Sequence, residues 1–91
     1  MARYMVERHL PGFTSENLQG AARAARDTTS AMSREGTPVR YLRSTFVPSE
    51  AKVFCLFEGA SVDVIREANE RAKLPFTRIH EAEFVTAEEV G

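Results

Sequence analysis

Five apolar residues in a row, Val53, Phe54, Cys55, Leu56 and Phe57, stand between Lys52 and Glu58. Side chains alternate between faces along a strand, so a strand that is apolar without alternation has two faces to bury. A layer of helices can cover one of them. The chain has 91 residues, enough for one core and too few for two. The second face must therefore be covered from outside the chain, and a second copy is the simplest cover.

The elements around this strand follow from periodicity and punctuation. Arg3 to His9 alternates, with Tyr4, Val6 and Arg8 on one face and Arg3, Met5, Glu7 and His9 on the other, which predicts a first strand. Leu10-Pro11-Gly12 ends it. Thr14 offers an N-cap hydroxyl and Glu16 a first-turn carboxylate, opening a helix from about Ser15 to Glu35. Leu18, Ala21, Ala22, Ala25 and Met32 recur at helical spacing, and Gly36 and Pro38 stop the helix. Its buried face is small in volume, which implies either close packing on a sheet or a space beneath it.

Val39 to Val47 reads as a second strand, and Pro48 to Ala51 as a turn into the third, Lys52 to Glu58. Ser61 caps a second helix whose stripe is Val64, Ile65, Ala68 and Ala72, with Glu67 and Arg71 as an exposed pair and Leu74-Pro75 as its end. Thr77 to Val85 is the last strand, and residues 86–91 are a polar tail. The order βαββαβ makes residues 1–91 one α+β domain of ferredoxin-like type, with two helices on one face of a four-stranded antiparallel or mixed sheet. The expected topology puts the first and third strands side by side and parallel, and the last strand antiparallel to the first. Two such sheets packed face to face form a dimeric α+β barrel.

Charge and composition exclude several roles. Twelve Lys and Arg stand against 13 Asp and Glu, scattered along the chain; nucleic-acid binding would need a basic stripe. No apolar run approaches membrane-span length, and a strand-like segment begins too early to leave room for a signal peptide. Cys55 is the one cysteine, which excludes an internal disulfide and fits a cytoplasmic protein.

Two places concentrate chemistry. If the last strand lies beside the first, His80 approaches His9, and Glu7, Glu81 and Glu83 lie on the same two strands. Imidazole and carboxylate together suit nickel, zinc and other divalent transition metals. Strand register decides whether His9 and His80 share a face, and no HxxxH, HxH or CxxC spacing accompanies them. Arg8 is the second place: a charge on the inward face of a central strand needs a partner, and Glu58 is the expected one. Turned into a pocket without that partner, Arg8 would bind an anion. Cys55, with no basic neighbour in sequence, reads as a buried, inert thiol.

Several of these segments together resemble a known pattern. Arg3-Tyr4-Met5-Val6-Glu7-Arg8 followed by Leu10-Pro11, then Tyr41-Leu42-Arg43-Ser44, Lys52-Val53-Phe54-Cys55-Leu56-Phe57, Ile65-Arg66-Glu67 and Leu74-Pro75, is similar to a family of small dimeric ferredoxin-like bacterial proteins with nickel-binding actinobacterial members. The chain departs from that family at Tyr41, where tryptophan is usual, at Thr45, where tyrosine is usual, and at Ala68, where a histidine often follows Arg-Glu. The resemblance implies a homodimer that binds nickel or another divalent metal, for storage, sequestration or sensing, without catalysis.

Two functions thus compete, beside a third in which the apolar third strand marks a sheet that recruits another protein. One is a non-enzymatic metal-binding homodimer using His9, His80, Glu7 and Glu81. The other is a small α+β barrel enzyme, of the cofactorless oxygenase, isomerase or cyclase kind, holding an organic ligand between helices and sheet near Arg8, Tyr4 and Cys55. A cavity lined by Tyr4, Ala25, Cys55 and Ile65 would favour the second.

Overall fold

The computed structural model describes all 91 residues. In chain order they form β1 (Ala2–His9), α1 (Ser15–Arg34), β2 (Val39–Val47), β3 (Lys52–Gly59), α2 (Val62–Arg71) and β4 (Arg78–Ala82), with single 3₁₀ turns at Pro48–Glu50 and Ala87–Glu89. The order is the ferredoxin-like one expected, and the sheet runs β2-β3-β1-β4. No helix is long and apolar enough to cross a membrane.

The expected parallel pairing of the first and third strands is not found: β1 and β3 are antiparallel, as are β1 and β4 and β2 and β3. The reason is geometric. A helical crossover returns β2 in the direction of β1, and the tight turn after β2 then reverses β3. Each crossover therefore skips one strand, leaving an antiparallel neighbour between its two ends.

Helix boundaries follow the capping chemistry. Thr14 Oγ1 accepts from Asn17 N–H at 3.0 Å while Asn17 Oδ1 accepts from Thr14 N–H at 3.1 Å, a capping box at the start of α1. At its end Gly36, at φ 102, lets Thr37 N–H reach Met32 C=O at 2.9 Å. Ser61 caps α2. The end of α2 is less ordinary: Lys73, not glycine, takes the left-handed conformation at φ 59, and Leu74 N–H closes onto Asn69 C=O at 3.0 Å. A left-handed lysine is strained by about 1 kcal/mol, and it sets the path of the Leu74-Pro75 carbonyls.

Tyr4, Val6, Val53, Cys55 and Phe57 fill the helix-facing side of the sheet, against Ala25, Met32, Ile65 and Ala68. Both helices belong to this face, as the alternation predicts. On the opposite face, which no helix covers, Met5, Phe54 and Leu56 are half-buried, and the Phe84 ring lies near them against Arg3 and Arg43. At the outer edge the β2–β3 register jumps between Tyr41 and Arg43, so Leu42 is an extra residue in β2. β4 ends at Ala82, short of the expected end at Val85.

Candidate functional site

The open face of the sheet carries the first candidate. In the β1–β4 register Met5 faces His80 and Glu7 faces Arg78. His80 is thus diagonal to Glu7, within reach along one face. His80 Nε2 donates to Glu7 Oε1 at 3.0 Å, and Lys52 Nζ stands 3.6 Å from Glu7 Oε2. The hydrogen bond from His80, helped by the Lys52 charge, holds the Glu7 carboxyl below its ordinary value of 4.5. With Nε2–H committed to a carboxylate, the lone pair of a neutral His80 lies on Nδ1.

The four expected metal residues do not gather in one chain. His9 shares the face of His80 but stands opposite Lys52 on β3, four residues beyond Met5, roughly 13 Å along the strand. β1 and β4 are antiparallel, as expected, but β4 first pairs at Glu7 and leaves His9 without a β4 neighbour. Glu81 faces Tyr4, so alternation turns it to the helix side, away from Glu7 and His80. No group of three or more His, Cys, Asp or Glu side chains is positioned to hold a metal ion. Glu7 and His80 are what remains of the set.

The same face carries a cationic frame. Glu58 pairs with Arg3 at 3.2 Å and with Arg40 at 3.1 Å, and the Arg3 guanidinium lies 4.5 Å from the Phe84 ring centre. These contacts answer the question of Arg8. The expected Arg8–Glu58 pair does not form, because in the antiparallel register Glu58 faces Arg3 while Arg8 faces Val53, five residues away on the opposite side of the sheet.

Arg8 is instead sealed on the helix side, 1% exposed. Its Nη2 donates to Asn69 Oδ1 at 2.6 Å, and its Nη1 to the carbonyls of Pro75 at 3.1 Å and Leu74 at 3.4 Å. Asn69 is itself fixed by donating Nδ2–H to Ile65 C=O at 2.8 Å. Asn69 was not singled out from the sequence, although it lies four residues after Ile65 and so on the buried stripe of α2.

Of the three expected pocket residues, only Arg8 lines a cavity. That cavity, of about 450 Å³, lies beneath the first turns of α1 and is walled by Leu10, Phe13, Ala21, Ala24, Val53 and Leu74. Tyr4, Cys55, Ala25 and Ile65 are instead buried in the core and line no cavity. Cys55 Sγ stands 3.0 Å from Ser44 Oγ, which shares a 2.7 Å hydrogen bond with Tyr41 Oη. Burial raises the Tyr41 hydroxyl above its ordinary 10.0, against the opposing effect of the Ser44 bond.

Comparison with known proteins gives three findings. Among curated proteins nothing matches. The crystal structure of SCO4226 from Streptomyces coelicolor A3(2) superposes with a TM-score of 0.75 at 26% sequence identity, covering 93% of this chain and 100% of that one. The family model described as nickel responsive protein SCO4226-like matches residues 4–82, a span that runs from the first core residue of β1 to the last residue of β4. With the strand order and both helices inside the matched span, the chain belongs to the nickel responsive SCO4226-like family.

Proposed function

We propose that this protein is a non-enzymatic, nickel-responsive homodimer in which His80 is the metal-binding imidazole and Glu7 the carboxylate that orients it. The observation that carries this reading is the 3.0 Å bond from His80 Nε2 to Glu7 Oε1 on the open face of the sheet. A carboxylate that accepts the N–H of one ring nitrogen leaves the other nitrogen as a ligand and raises its basicity, the usual outer support of a metal-bound histidine.

The donors of one chain fit part of a nickel site. One imidazole with its carboxylate makes a weak site whose remaining positions belong to water, whereas two copies meeting at the open face would bring two such imidazoles to one interface. Met5, Phe54 and Leu56 support that arrangement, since this apolar patch lies between charged margins on the one sheet face without helices. Response to nickel then follows from linkage: a metal that binds the pair of chains and not the single one shifts the assembly by mass action.

The test is calorimetric titration of metal-free protein with Ni(II), on wild type, His80→Ala, Glu7→Gln and His9→Ala. Binding should vanish in His80→Ala, weaken by about 10- to 100-fold in Glu7→Gln, and persist in His9→Ala. Undiminished affinity in His80→Ala, or loss in His9→Ala alone, refutes this placement of the metal.

A further inference from the structure

We propose that the cavity beneath the first turns of α1 binds an amphiphilic monocarboxylate, its carboxylate on Arg8 and its apolar body against Leu10, Phe13, Ala21 and Val53. The site lies on the helix side of the sheet, independent of the metal reading.

The first observation is a buried charge without a counter-charge. Arg8 is 1% exposed, yet every acceptor it touches is neutral: Asn69 Oδ1, Leu74 C=O and Pro75 C=O. No carboxylate lies within ion-pair distance of it. Sealed charges are normally paired, because solvation lost on burial must be replaced.

The second observation is an unused donor. Arg8 Nε is buried and has no hydrogen-bond partner. A guanidinium has five N–H groups; the three bonds formed leave the Nε–H and one N–H of the adjacent Nη2. Two neighbouring donors of this kind match the two oxygens of a carboxylate, and because Nε is sealed from solvent the ligand reaches them only as the side chains over the guanidinium give way.

The third is space of the right character. The cavity of about 450 Å³ is within the range of small-molecule sites. Gly20, Ala21 and Ala24 of α1 line it, which is what small residues at helical spacing accomplish when they do not serve close packing. Arg8 supplies one positive charge at the floor, while Lys73 and Glu16, both exposed and of opposite sign, add no net charge to the lining. A single negative charge is therefore matched and a dianion is not. An apolar body satisfies the remaining wall, and the backbone path set by the left-handed Lys73 fixes Arg8 from below.

The experiment uses octanoate as probe and 1-octanol as its uncharged counterpart, titrated into the intact protein by calorimetry, with the arginine Nε–H signals followed by ¹H–¹⁵N NMR. Octanoate should saturate one site per chain, bind at least tenfold more tightly than 1-octanol, and shift one arginine Nε–H signal. That signal should be missing from Arg8→Met. Because Arg8→Met risks misfolding, Ala21→Leu provides the second arm: it fills the cavity, leaves Arg8 intact, and should weaken octanoate at least tenfold. His80→Ala should bind octanoate like wild type, which separates this site from the metal. Absent saturation, equal affinity for 1-octanol, undiminished binding in Ala21→Leu or lost binding in His80→Ala each overturn the proposal.

Discussion

Replacing Asn69 by leucine should be among the most damaging conservative changes in the chain. The side chains share their branching but leucine is the bulkier, so some overpacking adds to the cost in either background; what is lost beyond that is the sole side-chain acceptor for a sealed guanidinium, the 2.6 Å bond from Arg8 Nη2. A hydrogen bond to a charged group contributes about 1.5–3 kcal/mol. The total for a 91-residue domain is roughly 5–14 kcal/mol, so the variant loses a substantial fraction of its stability. In the Arg8→Met background there is no guanidinium left to abandon, and Asn69→Leu should then cost less than about 1 kcal/mol. The coupling between the two positions is the difference, about 0.5–3 kcal/mol. Urea unfolding followed by circular dichroism measures it, at one fixed protein concentration because association would contribute to the midpoint. If Asn69→Leu lies within about 0.5 kcal/mol of wild type, or costs the same in both backgrounds, Arg8 is not held as described.

Four further outcomes follow. The Glu7 carboxyl is held below 4.5 by His80 and Lys52, so its contribution is present above that value and is lost as pH falls through the lower folded value; the stability gap between wild type and Glu7→Gln, read from urea midpoints between pH 7 and 3, should narrow on acidification. Tyr41 is raised above 10.0 by burial, so its contribution is complete below pH 10 and is lost as pH rises through the folded value; an ultraviolet difference titration against Tyr41→Phe should place its midpoint above 10.0. Lys73→Gly relieves a left-handed non-glycine residue at φ 59 and should raise stability by about 0.5–1 kcal/mol; a fall in the urea midpoint would contradict that reading. Leu56→Arg on the open face should leave the fold intact by circular dichroism but yield single chains by sedimentation equilibrium, and an unchanged mass would remove the face-to-face arrangement.

The elements of this fold were legible because their signals are local. Thr14, Ser61 and Gly36 mark helix ends through their own backbone chemistry, and alternation in β1 separates Tyr4, Val6 and Arg8 from their neighbours whatever the rest of the chain does. Strand pairing is not local. The direction of β3 against β1 and the rung at which β4 joins depend on crossover geometry and on loop path. Those two quantities decide that Glu58 faces Arg3 and that His80 falls beside Glu7 instead of His9. The partners of Arg8 were hidden for the same reason: two are backbone carbonyls, which every residue possesses, and they are aimed by a left-handed Lys73 that nothing in its neighbourhood announces. Asn69 was within reach, since a polar residue on the buried stripe of a helix must be bonded to something.

The extra residue at Leu42 bears on how the chain avoids its own kind. β2 is an outer strand nine residues long, and a flat strand of that length offers a row of free amides and carbonyls to any extended segment it meets. The bulge breaks that row near its middle and increases the local twist. Arg40 and Arg43, both exposed, place like charges on either side of the break. Fibril-like growth by strand addition is thereby disfavoured at this edge, and in the homodimer proposed above the terms of contact would be set by side chains on the broad face of the sheet.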